Sequence, residues 1–390
     1  MEPVSLSFKK RIMTDFAIDL LKLTPVDENV VISPLSLVAA LSILEIGAGG
    51  VTKSEITKTL GRESQSDVPE LLKKLAATDA VTMAIATKLF LANGMEINQE
   101  YNNSIGKNFD VAAEPLDFRN QALTVQTVNS FVSEATRNMI PSLVNEDFHK
   151  PDMRAFLVNA VYFKGQWETR FSPQVTQPDE FHGIKGDRKE SFMALHALKN
   201  CRFTIGNGVQ VLALPYKDKE YEFVIFLPLE GVSFEEFRSN LNGQVMKELL
   251  QQAGKETNGV NIRIPKFKVS SQPQIKEMLQ KLGINHLFSD KCDLKGVSDK
   301  EDLYIDDVIH KAVVEVSEEG TKAAAATGMV ANRMRRPMVD EAEQGRDPLA
   351  EQLKELMFTL RNIYDVFIAD RPFVYGIFHG YQPILIGQYC

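Results

Sequence analysis

The run from Ser33-Pro34 through Leu44 restricts the possible folds of this chain most severely. Ser33 offers a capping hydroxyl, Pro34 suits the first helical position, and Leu35 to Leu44 is apolar on all sides, with small Ser36, Ala39, Ala40 and Ser42 interspersed. A helix without a polar face has to be buried, so other layers must enclose it. It stops at Glu45, well short of the ~18 residues that a membrane-spanning helix needs. The chain has the material to enclose it: 390 residues, 44% hydrophobic and 25% charged, as in a folded soluble protein.

Around this helix, helical and strand periods alternate irregularly. Phe8, Ile12, Phe16 and Leu20 recur every four residues and predict an opening amphipathic helix. Phe156 to Phe163, Val209 to Leu214, Tyr221 to Leu227 and Ile262 to Val269 are β-branched or aromatic runs bounded by Gly, Pro or Lys, and predict strands. Phe373 to Phe378 and Pro383 to Gly387, joined by the polar His379 to Gln382, predict a buried hairpin. No repeat, linker or strong composition shift precedes residue 320, so one α+β domain over residues 1–390 is expected.

Lys and Arg total 44 against 52 Asp and Glu, a net charge of −8 that repels nucleic acid and anionic membranes. Neither is an expected partner. Cys201, Cys292 and Cys390 show no C-x-x-C spacing and suit a reducing compartment. Lys9, Lys10, Arg11, Asp15 and Asp19 interrupt the first apolar residues and leave no signal-peptide core, so a cytoplasmic location is expected. There is no G-x-S-x-G, H-E-x-x-H or G-x-G-x-x-G. Gly47 to Ser54 comes near a phosphate-binding loop, but Thr52 stands where the glycine before the lysine belongs. The six histidines show no paired ligand spacing. Hence no catalytic centre, cofactor or metal is expected.

Val313 to Gly328 is unlike the rest of the chain. With period two, Thr321, Ala323, Ala325 and Thr327 share one face and are all small, while Lys322 lies on the other. Such a face can slip between existing strands. The four-alanine run equally suits a short helix or a flexible connector.

Glu318-Glu319-Gly320-Thr321 followed by Ala323 to Thr327 resembles the reactive-loop hinge of inhibitory serpins. Asn29 to Ser36 resembles the serpin helix B entry, Phe156 to Trp167 the strand 3A motif, and Asp370-Arg371-Pro372-Phe373 the segment leading to the C-terminal strands. Residues 1–336 and 366–390 follow the family pattern in order. The resemblance implies the serpin fold, three β-sheets with about nine helices and an exposed reactive-centre loop. It implies that Ser33, Ser36, Asn159 and His310 form the shutter beneath the central sheet, and that Trp167, Lys276 and Glu318 form the breach where the loop begins to enter. It further implies a covalent acyl complex with a target serine protease, completed when the cleaved loop inserts as a new central strand. Only Lys73 and Lys74 lie near Leu71 to Leu75, so heparin binding finds little support. A monomer is expected.

The family's count from the hinge puts the reactive bond at Met334-Arg335, with Arg333 and Arg336 as alternatives one residue away. Arginine suits trypsin-like enzymes; Met334 suits elastase- or chymotrypsin-like ones. Residues 318–336 would then be hinge and loop, and residues 321 to 334 would make a strand of ~46 Å. Residues 337–366 hold roughly 25 more than the family needs. Within them Asp347-Pro348 starts an amphipathic repeat of Leu349, Leu353, Leu356, Leu360, Ile363 and Phe367, predicting an inserted helix over 349–365 that stays outside the central sheet. The small inward hinge residues favour an inhibitor. A non-inhibitory binding or chaperone-like module and a cross-class inhibitor of cysteine proteases are the alternatives.

Overall fold

The computed structural model describes residues 4–60, 64–75, 80–148, 152–254, 258–299, 302–321 and 364–390. Elements are numbered in chain order. One six-stranded sheet runs β1 (Val30–Ile32), β16 (Gln382–Tyr389), β15 (Phe373–His379), β9 (Tyr221–Pro228), β8 (Val209–Pro215) and β7 (Arg202–Gly206). A four-stranded sheet runs β14 (Asp365–Ile368), β10 (Val260–Pro265), β6 (Gly186–Leu198) and β5 (Gln177–Gly183). The central sheet runs β11 (Phe267–Ser271), β12 (Asp307–Ser317), β13 (Gly320–Thr321), β4 (Ala155–Gln166), β2 (Val81–Ala92) and β3 (Ala113–Leu116). Nine α-helices occur among the described residues: α1 (Val4–Lys22), α2 (Pro34–Gly47), α3 (Gly50–Leu60), α4 (Ser64–Leu75), α5 (Gln99–Phe109), α6 (Gln121–Ala135), α7 (Phe234–Asn240), α8 (Gly243–Gln252) and α9 (Ile275–Lys281). No described helix is long and apolar enough to cross a membrane.

The all-round apolar run is α2, capped by Ser33, whose side chain accepts from the Ser36 N–H. It packs against β4, β16, α4 and α5, which accounts for burial on every side. β4 is buried almost throughout because both its faces are covered. Val161 and Phe163 point into the core shared with the first sheet, while Phe156, Val158, Ala160 and Tyr162 point toward α6.

Two expectations are corrected. The run Ile262 to Val269 is two strands: β10 ends at Pro265, which lacks the N–H a continuing ladder needs, and after Lys266 the chain enters the central sheet as β11. At the other end of the predicted insertion, Asp365–Ile368 is strand β14, parallel to β10, with Phe367 fully buried. The inserted helix therefore cannot run to residue 365, and its residues 349–363 lie outside the described residues.

Candidate functional site at the seam of the central sheet

β12 and β4 are direct parallel neighbours over Asp307 to Val313 and Phe156 to Tyr162, with His310 opposite Asn159. Beyond that ladder the chain turns at Glu318-Glu319, and Gly320-Thr321 returns between the two strands, antiparallel to both. Thr321 is fully buried, and its hydroxyl lies 2.6 Å from the Tyr216 phenol oxygen. Burial pushes that phenol far above its ordinary value, so it stays protonated. Gly320 has a φ of 147°, and a Cβ there would overlap the Gly165 carbonyl oxygen, so no side chain fits. The Ser317 hydroxyl donates to the Gly320 carbonyl at 3.0 Å. Gly320 and Thr321, expected in the hinge, are thus strand residues. Ala323, Ala325 and Thr327, and the expected reactive-bond residues Arg333, Met334, Arg335 and Arg336, lie outside the described residues.

Trp167, the chain's one tryptophan, stands at the end of β4. Its indole stacks on Tyr216 with centroids 4.9 Å apart and donates to the Ser317 carbonyl at 2.8 Å. The backbone N–H groups of Trp167 and Phe171 donate to the carbonyls of Glu319 and Glu318. The Glu318 carboxylate accepts from Lys266 Nζ at 2.8 Å and from the Thr176 hydroxyl at 3.0 Å. Burial works to raise its pKa, but the Lys266 ammonium, a backbone N–H and Thr176 outweigh that, and the carboxyl lies below its ordinary value.

Lys276, expected in this group, is elsewhere. It sits on α9 and donates to the carbonyl of Asp306, at the opposite end of β12 from Glu318. Lys266 holds the place instead, together with Tyr216 and Thr176. Its one sequence signal is its position directly after the proline that splits the strand run.

Because Glu318 is depressed in the folded state, its contribution is present above the ordinary carboxyl range and lost as pH falls through its lowered value. Trp167 emission is therefore expected to hold from neutral pH to about 4.5 and to move to longer wavelength below that. Lys266→Met should move it at neutral pH. Identical emission spectra for wild type and Lys266→Met would detach this pair from the hinge.

Lower in the seam, Ser33, Ser36, Asn159 and His310 come together out of contact with solvent. Asn159 Oδ1 accepts from the Ser36 hydroxyl and from His310 Nδ1, both at 2.7 Å. Asn159 Nδ2 donates to Thr87 Oγ1 at 2.9 Å, a partner supplied by the β2–β4 register and carrying no sequence signal of its own. The Ser33 N–H donates to His310 Nε2 at 3.1 Å, so Nε2 accepts and Nδ1 carries the proton. Ser33 Oγ donates to the Ile384 carbonyl on β16, tying this cluster to the first sheet.

Burial depresses the His310 imidazole to about 3. A second proton would also have to sit on Nε2, facing the Ser33 N–H. An unfolded histidine takes its proton near pH ~6.5, so between these values the unfolded chain binds more protons and stability falls as pH falls, by ~1.4 kcal/mol per pH unit. From neutral pH to pH ~5 the expected loss through this residue is about 2 kcal/mol. Urea midpoints of wild type and His310→Gln across that range test it: the variant should lack this slope, and equal slopes would sink the assignment.

Burial pushes the Cys292 and Cys390 thiols up to about 12, which makes them poor nucleophiles at neutral pH. The Asp293 carboxylate packs against Gly49, where it would repel a phosphate. Among the described residues no group of three or more His, Cys, Asp and Glu side chains is placed to hold a metal.

A family model described as serpin (serine protease inhibitor) matches residues 11–390. Human neuroserpin is 30% identical over 345 residues, covering 83% of each chain. Intracellular coagulation inhibitor 2 of Tachypleus tridentatus is 35% identical over 316 residues, 78% of this chain and 76% of that one. The native structure of tengpin, a thermophilic serpin, superposes with a TM-score of 0.81 at 27% identity, covering 99% of this chain and 95% of its own.

Proposed function

The chain belongs to the serpin family, and on that premise we propose that it is a single-use inhibitor that traps a serine protease as an acyl complex. The observation that carries this reading is the lodging of Gly320-Thr321 between β12 and β4, at the head of a segment whose inward face is small. A protease serine attacks the carbonyl of Met334, or of Arg333 or Arg335. The acyl bond forms as the peptide bond breaks, and the new amine leaves on the C-terminal fragment. The freed strand then extends into the seam, parting His310 from Asn159. It runs antiparallel to both neighbours, so two antiparallel ladders replace one parallel ladder, which is slightly less stable per residue.

Residues after the cut never enter the sheet, so the extra segment between residue 337 and β14 lengthens only the side where length does not matter. Deleting Met338 to Ile363 keeps Tyr364, whose ring packs beside Gly259, and keeps β14. That variant is expected to fold and to trap protease, with its association rate or target preference changed. Loss of trapping would put part of the functional loop in the deleted segment. We further place the protein as a monomer in a reducing compartment, where Cys201, Cys292 and Cys390 stay free thiols.

Mixing the protein with trypsin, elastase and a cathepsin tests the reading directly. An SDS-resistant adduct with either of the first two supports it. An adduct with the cathepsin alone assigns the trap to cysteine proteases. Clean cleavage or no reaction with all three assigns the fold to a non-inhibitory role.

A further inference from the structure

The face of the central sheet turned toward α6 carries an unmatched charge at the mouth of the seam. Val313 and Ile309 on β12, and Tyr162 and Val158 on β4, are buried there in one cluster with Val128 and Val132 of α6. Two residues farther along each strand, Glu315 and Lys164 are only partly buried. They flank a fork: the direct ladder between β12 and β4 has ended at Val313 and Tyr162, and β13 lies between the two strands only at Val316 and Gly165. Glu315 stands opposite Lys268 of β11, yet Lys268 Nζ stays 3.8 Å from its Oε2, too far for a hydrogen bond. That Oε2 is buried and has no hydrogen-bond donor among the described residues.

On the insertion proposed above, we infer that Glu315 receives the ammonium of Lys322 and that this pair holds the register of the entering strand. Lys322 directly follows Thr321, whose side chain points inward to Tyr216, so period two turns Lys322 outward. The next step of the observed register sets it opposite Glu315 on one side and Lys164 on the other. The carboxylate attracts and the ammonium repels, so the side chain is drawn toward β12. The outward residues that follow, Ala324, Ala326 and Gly328, are small. In the same register they meet Val313, Lys311 and Ile309, where α6 and Ser142, which accepts from Lys311, cover the sheet. Lys322 is thus the one long outward side chain, and Glu315 is where it finds both an opposite charge and water. A slip of two residues keeps every small side chain inward, so the alternation of faces does not penalise it. The charge does. Two residues deeper, Lys322 would lie between buried Val313 and Tyr162 with its ammonium unpaired. Two residues shallower, Ala324 would face Glu315 and leave the carboxylate unmatched.

The ratio of SDS-resistant adduct to cleaved inhibitor compares insertion with deacylation and so reads the pair directly. Glu315→Gln and Lys322→Met should each lower that ratio about fivefold. The double variant should lower it no further, because both changes remove the same contact. Lys322→Arg, which keeps the charge and the reach, should trap as the wild type does. Losses that multiply in the double variant, an unchanged ratio in Glu315→Gln, or a loss in Lys322→Arg as large as in Lys322→Met overturns the pair. Those outcomes come from a wild type that traps, and they leave the inhibitory reading standing. A wild type that forms no adduct with trypsin, elastase or the cathepsin removes that reading and the pair together.

Discussion

Thr321→Arg and Ala323→Arg are each expected to yield a folded protein that its target cleaves without being trapped. Thr321 is fully buried against Tyr216 between β12 and β4, and Ala323 shares its inward face by period two. At 323 an arginine must bury an unpaired guanidinium before the strand can advance, at several kcal/mol; at 321, already buried in the intact sheet, the same charge opposes the lodging of Gly320-Thr321 from the start. Each ~1.4 kcal/mol slows a step about tenfold, so insertion slows by about a hundredfold or more while deacylation of the protease proceeds at its usual rate. The adduct band on a denaturing gel should vanish and the cleaved inhibitor should accumulate, whereas Ala323→Ser should trap normally. Thr321→Arg should also disturb Trp167 emission, because it displaces Tyr216 from its partner. Full trapping by Ala323→Arg would exclude strand insertion at this seam.

Cleavage of the loop between Arg333 and Arg336 is expected to raise the thermal midpoint by 10 °C or more, where ordinary loop nicking lowers it or leaves it alone. A strand from Thr321 onward gains ladder bonds on both sides, of the order of ten more than the intact sheet makes, at ~1 kcal/mol each. For a chain of this length 1 kcal/mol moves the midpoint by about 1–2 °C. The intact protein is then held by a barrier, so scan rate should shift its midpoint. Melting curves of intact and trypsin-nicked protein decide the matter, and coincident curves would side with a non-inhibitory module.

Much of the fold is legible in the sequence because some segments admit one environment. Leu35 to Leu44 can only be enclosed, and the β-branched and aromatic run Phe156 to Phe163 reads as a strand, which the structure covers on both faces. The seam is legible in part. Ser33, Ser36, Asn159 and His310 are met through the family resemblance, but which of their atoms touch depends on the register of strands far apart in the chain, and so Thr87 goes unseen. Lys276 and Lys266 differ by ten positions and look alike as bare cations. Glu318 lies 52 residues from its true partner, and the fold alone brings them together. The helical repeat runs too far because Phe367 fits its step, yet burial in β14 satisfies the same residue. One apolar position at a boundary cannot separate the two periods.

The hairpin between β12 and β13 has a kinetic meaning. Glu318-Glu319 joins paired Ser317 and Gly320, a two-residue connection, so the loop-closure entropy of starting a new strand is already spent. On the proposed insertion, entry is elongation of an existing nucleus, and its register is set before any bond is cut. A slip of one residue would turn every small side chain outward. Continued in the observed register, Ala323 meets Val314 and Phe163, Ala325 meets Ala312 and Val161, and Thr327 meets His310 and Asn159. The hydroxyl of Thr327 therefore arrives where the strand has to replace a buried polar bond. Free hairpins zip in about 1–10 μs, so the slow event is the parting of β12 from β4, and the search for alignment adds nothing to it.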